Sequence, residues 1–172
     1  MTYKIYSRDG CPYCVKVEQV LQLAKLDYEV YKLTQDFSRE EFYEKFDLVK
    51  NLFKEADDAL NLSLSKIILE GPKEELDLTA NTQPAIFLIS YSIFQVIKKE
   101  FNIDLHKAKY FAGHSLGEYS AIACANYLDF KETIQVLKKR GDAMQNSVPK
   151  GEGGMLAVLG TTVENIEKIL ND

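Results

Sequence analysis

The feature that most constrains this chain is Gly113-His114-Ser115-Leu116-Gly117, set between Lys109-Tyr110-Phe111-Ala112 and a run of small residues from Tyr119 to Ala125. The first flank reads as a short buried strand, and the second suits a tightly packed helix. Strand, sharp turn and helix in that order, with G-x-S-x-G at the turn, make a nucleophile elbow. Its glycines permit the tight turn and close strand-to-helix packing, and the serine hydroxyl projects at the helix N-terminus. A lone strand would leave its backbone groups unpaired, so the elbow calls for neighbouring strands.

Composition narrows the class further. The 172 residues carry 21 Lys plus Arg against 26 Asp plus Glu, and a net charge of −5 argues against a nucleic-acid partner. With 46% hydrophobic and 27% charged residues, the chain can bury a core as one or two domains. The longest nearly apolar stretch, Pro84 to Phe94, is 11 residues, short of the roughly 20 that cross a bilayer. Met1 to Ser7 lacks a basic segment followed by an apolar one, so a cytoplasmic protein with no membrane partner is expected.

Lys4 to Ser7 alternates like a strand, and Arg8-Asp9-Gly10 turns the chain into Cys11-Pro12-Tyr13-Cys14 at the start of a helix. Val17, Val20, Leu21 and Ala24 recur at helical spacing, and Tyr28 to Leu33 alternates again, completing a βαβ unit. A Cys-x-x-Cys in a reducing compartment reads first as redox or metal chemistry. Structural zinc needs four ligands, whereas this pair is joined only by a distant Cys124, His106 and His114, so no metal is expected.

Ser38-Arg39-Glu40-Glu41 has the form of a capping box opening a helix with Phe42 and Phe46, and Val49, Leu52, Phe53, Ala56 and Leu60 mark another. Gly71-Pro72 signals a turn. Asn81-Thr82-Gln83-Pro84 supplies capping candidates for a long helix whose stripe of Ile86, Ile89, Ile93 and Ile97, with Phe87, Phe94 and Phe101 beside it, reads as core. Asp129-Phe130-Lys131-Glu132 caps a helix through Ile134, Leu137 and Met144 that carries Arg140 and ends at the loop Gly151 to Gly154. Met155 to Leu159 is strand-like, and Thr161-Thr162-Val163-Glu164 caps a last helix.

Two resemblances follow. Residues 1 to about 46 resemble the first half of a glutaredoxin, carried by Cys-Pro-Tyr-Cys between the first strand and first helix. The resemblance implies a thiolate at Cys11, its pKa lowered by the positive end of a helix, with Cys14 resolving a mixed disulfide and glutathione as the candidate co-substrate. Residues from about 43 to 172 resemble the malonyl-CoA:acyl-carrier-protein transacylase family. That match is carried by Asn81-Thr82-Gln83-Pro84-Ala85, the elbow through Glu118-Tyr119, Lys138 to Gln145, and Gly153 to Val158. It implies Ser115 as the nucleophile that takes malonyl from malonyl-CoA and hands it to acyl carrier protein, with no permanently bound cofactor.

The same resemblance makes the Leu116 N–H an oxyanion donor, Arg140 the fork that pairs with the malonyl carboxylate, Gln83 a substrate-site residue and His114 positional. Read without it, Arg140 in a basic run near a helix end is a solvated charge, and Gln83 a helix-entry residue. A serine hydrolase is the alternative chemistry for the elbow, although Glu118 stands where many lipases and esterases place glycine. Thiol–disulfide exchange at Cys11 and Cys14 is the alternative for the chain.

The chain departs from both parents. The glutaredoxin pattern stops before its proline loop, hairpin and last helix. In place of the transacylase's opening Gly-Gln-Gly-Ser-Gln loop, which supplies a second oxyanion donor, stands the glutaredoxin-like half. The family's base histidine lies far downstream of the serine, and the sequence has 57 residues after Ser115 with no histidine among them. His106 precedes the strand that delivers Ser115, and a rise of roughly 3.3 Å per residue puts it on the order of 20 Å from the hydroxyl. The expected fold is therefore α/β: a thioredoxin-like βαβ segment (1–46) joined, somewhere in Arg39 to Asp47, to part of an α/β-hydrolase-like acyltransferase domain (47–172). Its last stretch (151–172) would begin a small ferredoxin-like subdomain.

Overall fold

A computed structural model describes residues 2–7, 9–10, 12–32, 38–148, 152, 158 and 160–171. Strands β1 (Tyr3–Ser7) and β2 (Tyr28–Lys32) pair in parallel, with Tyr3 opposite Tyr28 and Ser7 opposite Lys32. Helix α1 (Pro12–Leu23) makes the crossover, as the alternating and helical periods require. Ile5 is buried, but the α1 residues Val15, Val17, Val20 and Leu23 are exposed, so most of this helix's apolar surface has no cover among the described residues.

Helix α2 (Arg39–Lys45) opens with the expected capping box, Ser38 Oγ accepting from the Glu41 N–H and the Glu41 carboxylate from the Ser38 N–H. Helices α3 (Asp47–Leu60), α4 (Leu64–Glu70) and α5 (Lys73–Leu76) follow. The stripe Val49, Leu52, Phe53 and Ala56 is buried, and Asp57 ties α3 to α4 by accepting from the Ser65 N–H at 2.9 Å. The core lies where α3 meets α6 (Thr79–Lys99) and α8 (Phe130–Gln145), with Leu64, Phe87, Leu88, Ile134 and Leu137 fully enclosed. Phe87 stacks on Phe130 at 5.6 Å, a geometry that adds to area burial. Asp129 caps α8 by accepting from the Lys131 and Glu132 N–H groups.

Helix α6 begins at Thr79, earlier than its motif suggests. Pro84 is interior, and the Thr82 hydroxyl donates back to the Leu76 and Leu78 carbonyls instead of capping. The face that packs is Ala85, Phe87, Leu88, Ser92 and Val96. Ile86 and Ile93 of the expected core stripe are instead 45% and 44% exposed, and Phe101 is exposed beyond the helix end.

Helix α7 (Leu116–Cys124) follows the elbow, and α9 (Val163–Asn171) follows Thr162, whose hydroxyl accepts from the Asn165 N–H. Lys109 to Ala112 is no strand: Tyr110 is 87% exposed, and the segment takes no backbone partner among the described residues. A strand exists through its ladder, and the two strands present pair with each other. Among the described residues, the β part of the expected α/β fold is one two-stranded sheet, and the rest is mostly helical. The strand expected over Met155–Leu159 lies, Val158 apart, outside the described residues, as do Leu33 and most of the Gly151–Gly154 loop. No helix among the described residues is long and apolar enough to cross a membrane.

A core centred on α3, α6 and α8, with α4 and α7 adding to it, predicts an uneven mutational response. Leu137→Ala should cost about 2–5 kcal/mol in urea unfolding, and Val20→Ala on α1 less than about 0.5.

Candidate active site

Ser115 stands at the N-terminus of α7 with φ 54° and ψ −116°, a backbone conformation that a side chain makes costly. What holds it there is local. A Cβ on Gly113 would lie 1.9 Å from the Gly117 carbonyl oxygen, so the chain can fold back on itself only with glycine at 113. Gly117 has open space where its own Cβ would be, and its part is to present the backbone that Gly113 approaches. The Gly117 N–H donates to the His114 carbonyl at 2.9 Å and the Glu118 N–H to the Ser115 carbonyl at 3.1 Å. The Leu116 N–H, the first of α7, takes no backbone partner among the described residues.

Two more expected residues converge on this serine. Arg140 lies mid-helix on α8, well before the end at Gln145, and its Nη2 donates to Ser115 Oγ at 3.1 Å. Its Nη1 donates to Gln83 Oε1 on α6, and its guanidinium lies 5.9 Å from the Tyr119 ring centroid. Gln83 is 4% exposed, and its amide nitrogen contacts Met144 Sδ at 3.3 Å. The solvated-charge reading of Arg140 therefore fails, because α8 runs on past it and turns it inward. Gln145, which motif reading did not single out, accepts from the Thr79 N–H at 3.1 Å and fastens the start of α6 to the end of α8.

The histidines stand apart from this cluster. His114 is exposed beside the serine. His106 lies in the single turn Leu105–Lys107, where Lys98 Nζ is 3.1 Å and Asn126 Nδ2 3.4 Å from its Nε2 and the Phe94 and Phe111 rings flank it. The strand rise that was to set its distance from Ser115 does not apply, since no strand forms there. Along α6 and α7 runs an open groove of about 600 Å³ lined by Ile86, Ile93, Phe94, Phe111, Ser120 and Cys124. Burial pushes the Cys124 thiol up to about 11. Cys11 lies outside the described residues, and Cys14 is half-buried in the first turn of α1.

A family model described as an acyl transferase domain matches residues 38–172. The chain belongs to the acyl transferase family. A glutaredoxin model matches residues 4–50, so the two matches meet across α2 and the start of α3. The malonyl CoA-acyl carrier protein transacylase of Bacillus subtilis strain 168 is 43% identical over 129 residues, which are 75% of this chain and 39% of that protein. The crystal structure of an acyl-carrier-protein S-malonyltransferase from Bartonella henselae matches with a TM-score of 0.70 at 41% identity, covering 77% of this chain and 42% of its own. A malonyl-transacylase solved in complex with a type II polyketide-synthase acyl carrier protein matches with a TM-score of 0.60 at 39% identity, covering 65% of this chain and 35% of that one. This acyl transferase chain thus spans about two fifths of the length of the relatives it matches.

Two measurements check the local geometry. Ser115→Gly should relieve the backbone and raise stability in urea by about 1 kcal/mol, whereas Gly113→Ala should lower it. Above the ordinary thiol value of 9.0 an unfolded Cys124 ionises while the folded one, near 11, keeps its proton, so stability should fall as pH rises through that interval. Cys124→Ala should flatten that fall in pH-dependent unfolding.

Proposed function

We propose that this chain carries the acyl-accepting centre of malonyl transfer from malonyl-CoA to acyl carrier protein, in fatty-acid biosynthesis. The observation that carries the reading is the contact between Ser115 and Arg140, a nucleophile on a strained elbow beside a cation inclined into the same space. Ser115 Oγ attacks the malonyl thioester carbonyl, coenzyme A leaves as its thiol, and the ester passes to the carrier protein's thiol. The Leu116 N–H, first in α7, supports the tetrahedral oxyanion. Arg140 pairs with the free carboxylate and so favours malonyl over acetyl, while His114 shapes the turn.

Turnover by these 172 residues alone should be weak. A base positioned to take the Ser115 proton contributes about 10² to 10⁴ in rate, and among the described residues the recorded partner of Ser115 Oγ is Arg140, a donor that cannot accept a proton. Incubation with labelled malonyl-CoA, followed by mass spectrometry of the Ser115 peptide, should show slow ester formation that Ser115→Ala abolishes. Arg140→Ala should cut the preference for malonyl over acetyl by tenfold or more. Fast transfer by the unaltered chain would refute the predicted defect, and a malonyl ester surviving Ser115→Ala would remove the nucleophile.

The glutaredoxin match over residues 4–50, with Cys14 in the first turn of α1, supports a second reading for the N-terminal segment. There Cys11 would attack a glutathione mixed disulfide and Cys14 would resolve it. Loss of such reduction in Cys11→Ser is the matching test.

A further inference from the structure

We propose that Gln83 is a positioning residue that holds the Arg140 fork open for an anion and does not itself bind substrate, an inference that rests on the carboxylate-binding reading above. The partners of Arg140 carry it. Its partners among the described residues are neutral, namely the Gln83 carbonyl, the Ser115 hydroxyl and the Tyr119 ring, and it joins no ion pair there. A partly buried guanidinium keeps its full charge and wants an anion. An acidic residue at 83 would itself supply one. A glutamine fixes the same nitrogen through a neutral oxygen and leaves the charge unanswered.

Gln83 is suited to this by its own restraint. It is 4% exposed, its Oε1 is committed to Arg140 Nη1, and its amide nitrogen faces Met144 Sδ. The reach from α6 to α8 depends on the residue next to the arginine. A Cβ on Gly141 would lie 2.7 Å from the Thr79 carbonyl oxygen and 2.8 Å from Ala80 Cα, so only glycine lets the two helices approach as they do. Of the five guanidinium N–H donors, one is taken by Gln83 and one by Ser115, and the remainder can still form a bidentate pair with a carboxylate. The substrate carboxylate therefore meets a fork whose orientation is set beforehand, which lowers the ordering cost of binding.

Two readouts on the full chain test this. With guanidinium-labelled arginine and assignment through Arg140→Lys, nuclear magnetic resonance of the ligand-free chain should show slow rotation for Arg140. Gln83→Ala should restore fast rotation, and Gln83→Glu, which keeps the acceptor oxygen, should leave it slow. In a Ser115→Ala background, so that no acyl transfer intervenes, calorimetry should give tighter binding of malonyl-CoA than of acetyl-CoA. Gln83→Ala should shrink that preference about tenfold, and Gln83→Glu should shrink it at least as much by answering the charge. Unchanged rotation in Gln83→Ala, or a malonyl preference that survives it, would overturn the positioning role while leaving Arg140 as the carboxylate site. An unaltered chain with no malonyl preference, in which Gln83→Ala still frees Arg140, would support the positioning role and sink the malonyl reading.

Discussion

The approach of α6 to α8 at Gly141 is the contact on which the rest of this site depends. It lies beside buried Leu137 and opposite Ala80, where backbone rather than side chain meets backbone. Burial of Phe87, Ile134 and Leu137 drives the helices together, and the missing side chain at 141 sets how far they go. Every polar contact of the cluster is downstream of that distance. Gln145 reaches the Thr79 N–H, Gln83 reaches Arg140, and Arg140 then reaches a serine delivered by a third helix. Hydrophobic packing is here the source of polar precision, because interiors this dense have little freedom to drift.

What could be read from residues alone divides along the same physical line. Features decided within a few neighbours were visible: the capping box at Ser38, the N-cap at Asp129, the βαβ period, and the sharp turn at Ser115 with the helix after it. Those decided by distant partners were not. Helical period marks Ile86 and Ile93 as a stripe, but which stripe is covered depends on where α3 and α8 pack, and they pack on Phe87 and Leu88. Lys109 to Ala112 has the composition of a strand, yet a strand is a relation between segments. Arg140 was ambiguous in isolation since the length of α8 decides whether it lies at a helix end, and it was family resemblance that aimed it at the serine. Gln145 carried no local signal because its role is a bond across 66 residues of sequence.

The two parts of the chain also differ in how completely they satisfy themselves. The helical part encloses large side chains fully, whereas α1 leaves three valines and a leucine exposed beside a sheet that is two strands wide among the described residues. A two-stranded sheet with one crossover helix has too little apolar area to enclose, and roughly 1 to 2 kcal/mol of backbone entropy per residue must still be offset. The open groove along α6 and α7 is the counterpart in the helical part, an apolar surface beside the Lys109–Ala112 segment, which takes no backbone partner among the described residues.

The tight turn from Gly113 to Gly117 has a consequence for how such chains are recognised. Its shape is settled by five consecutive residues and the first turn of one helix, without reference to any sheet. A unit of that kind keeps its backbone shape whichever strands lie beside it, so likeness at these five residues reports on the turn and not on the sheet around it.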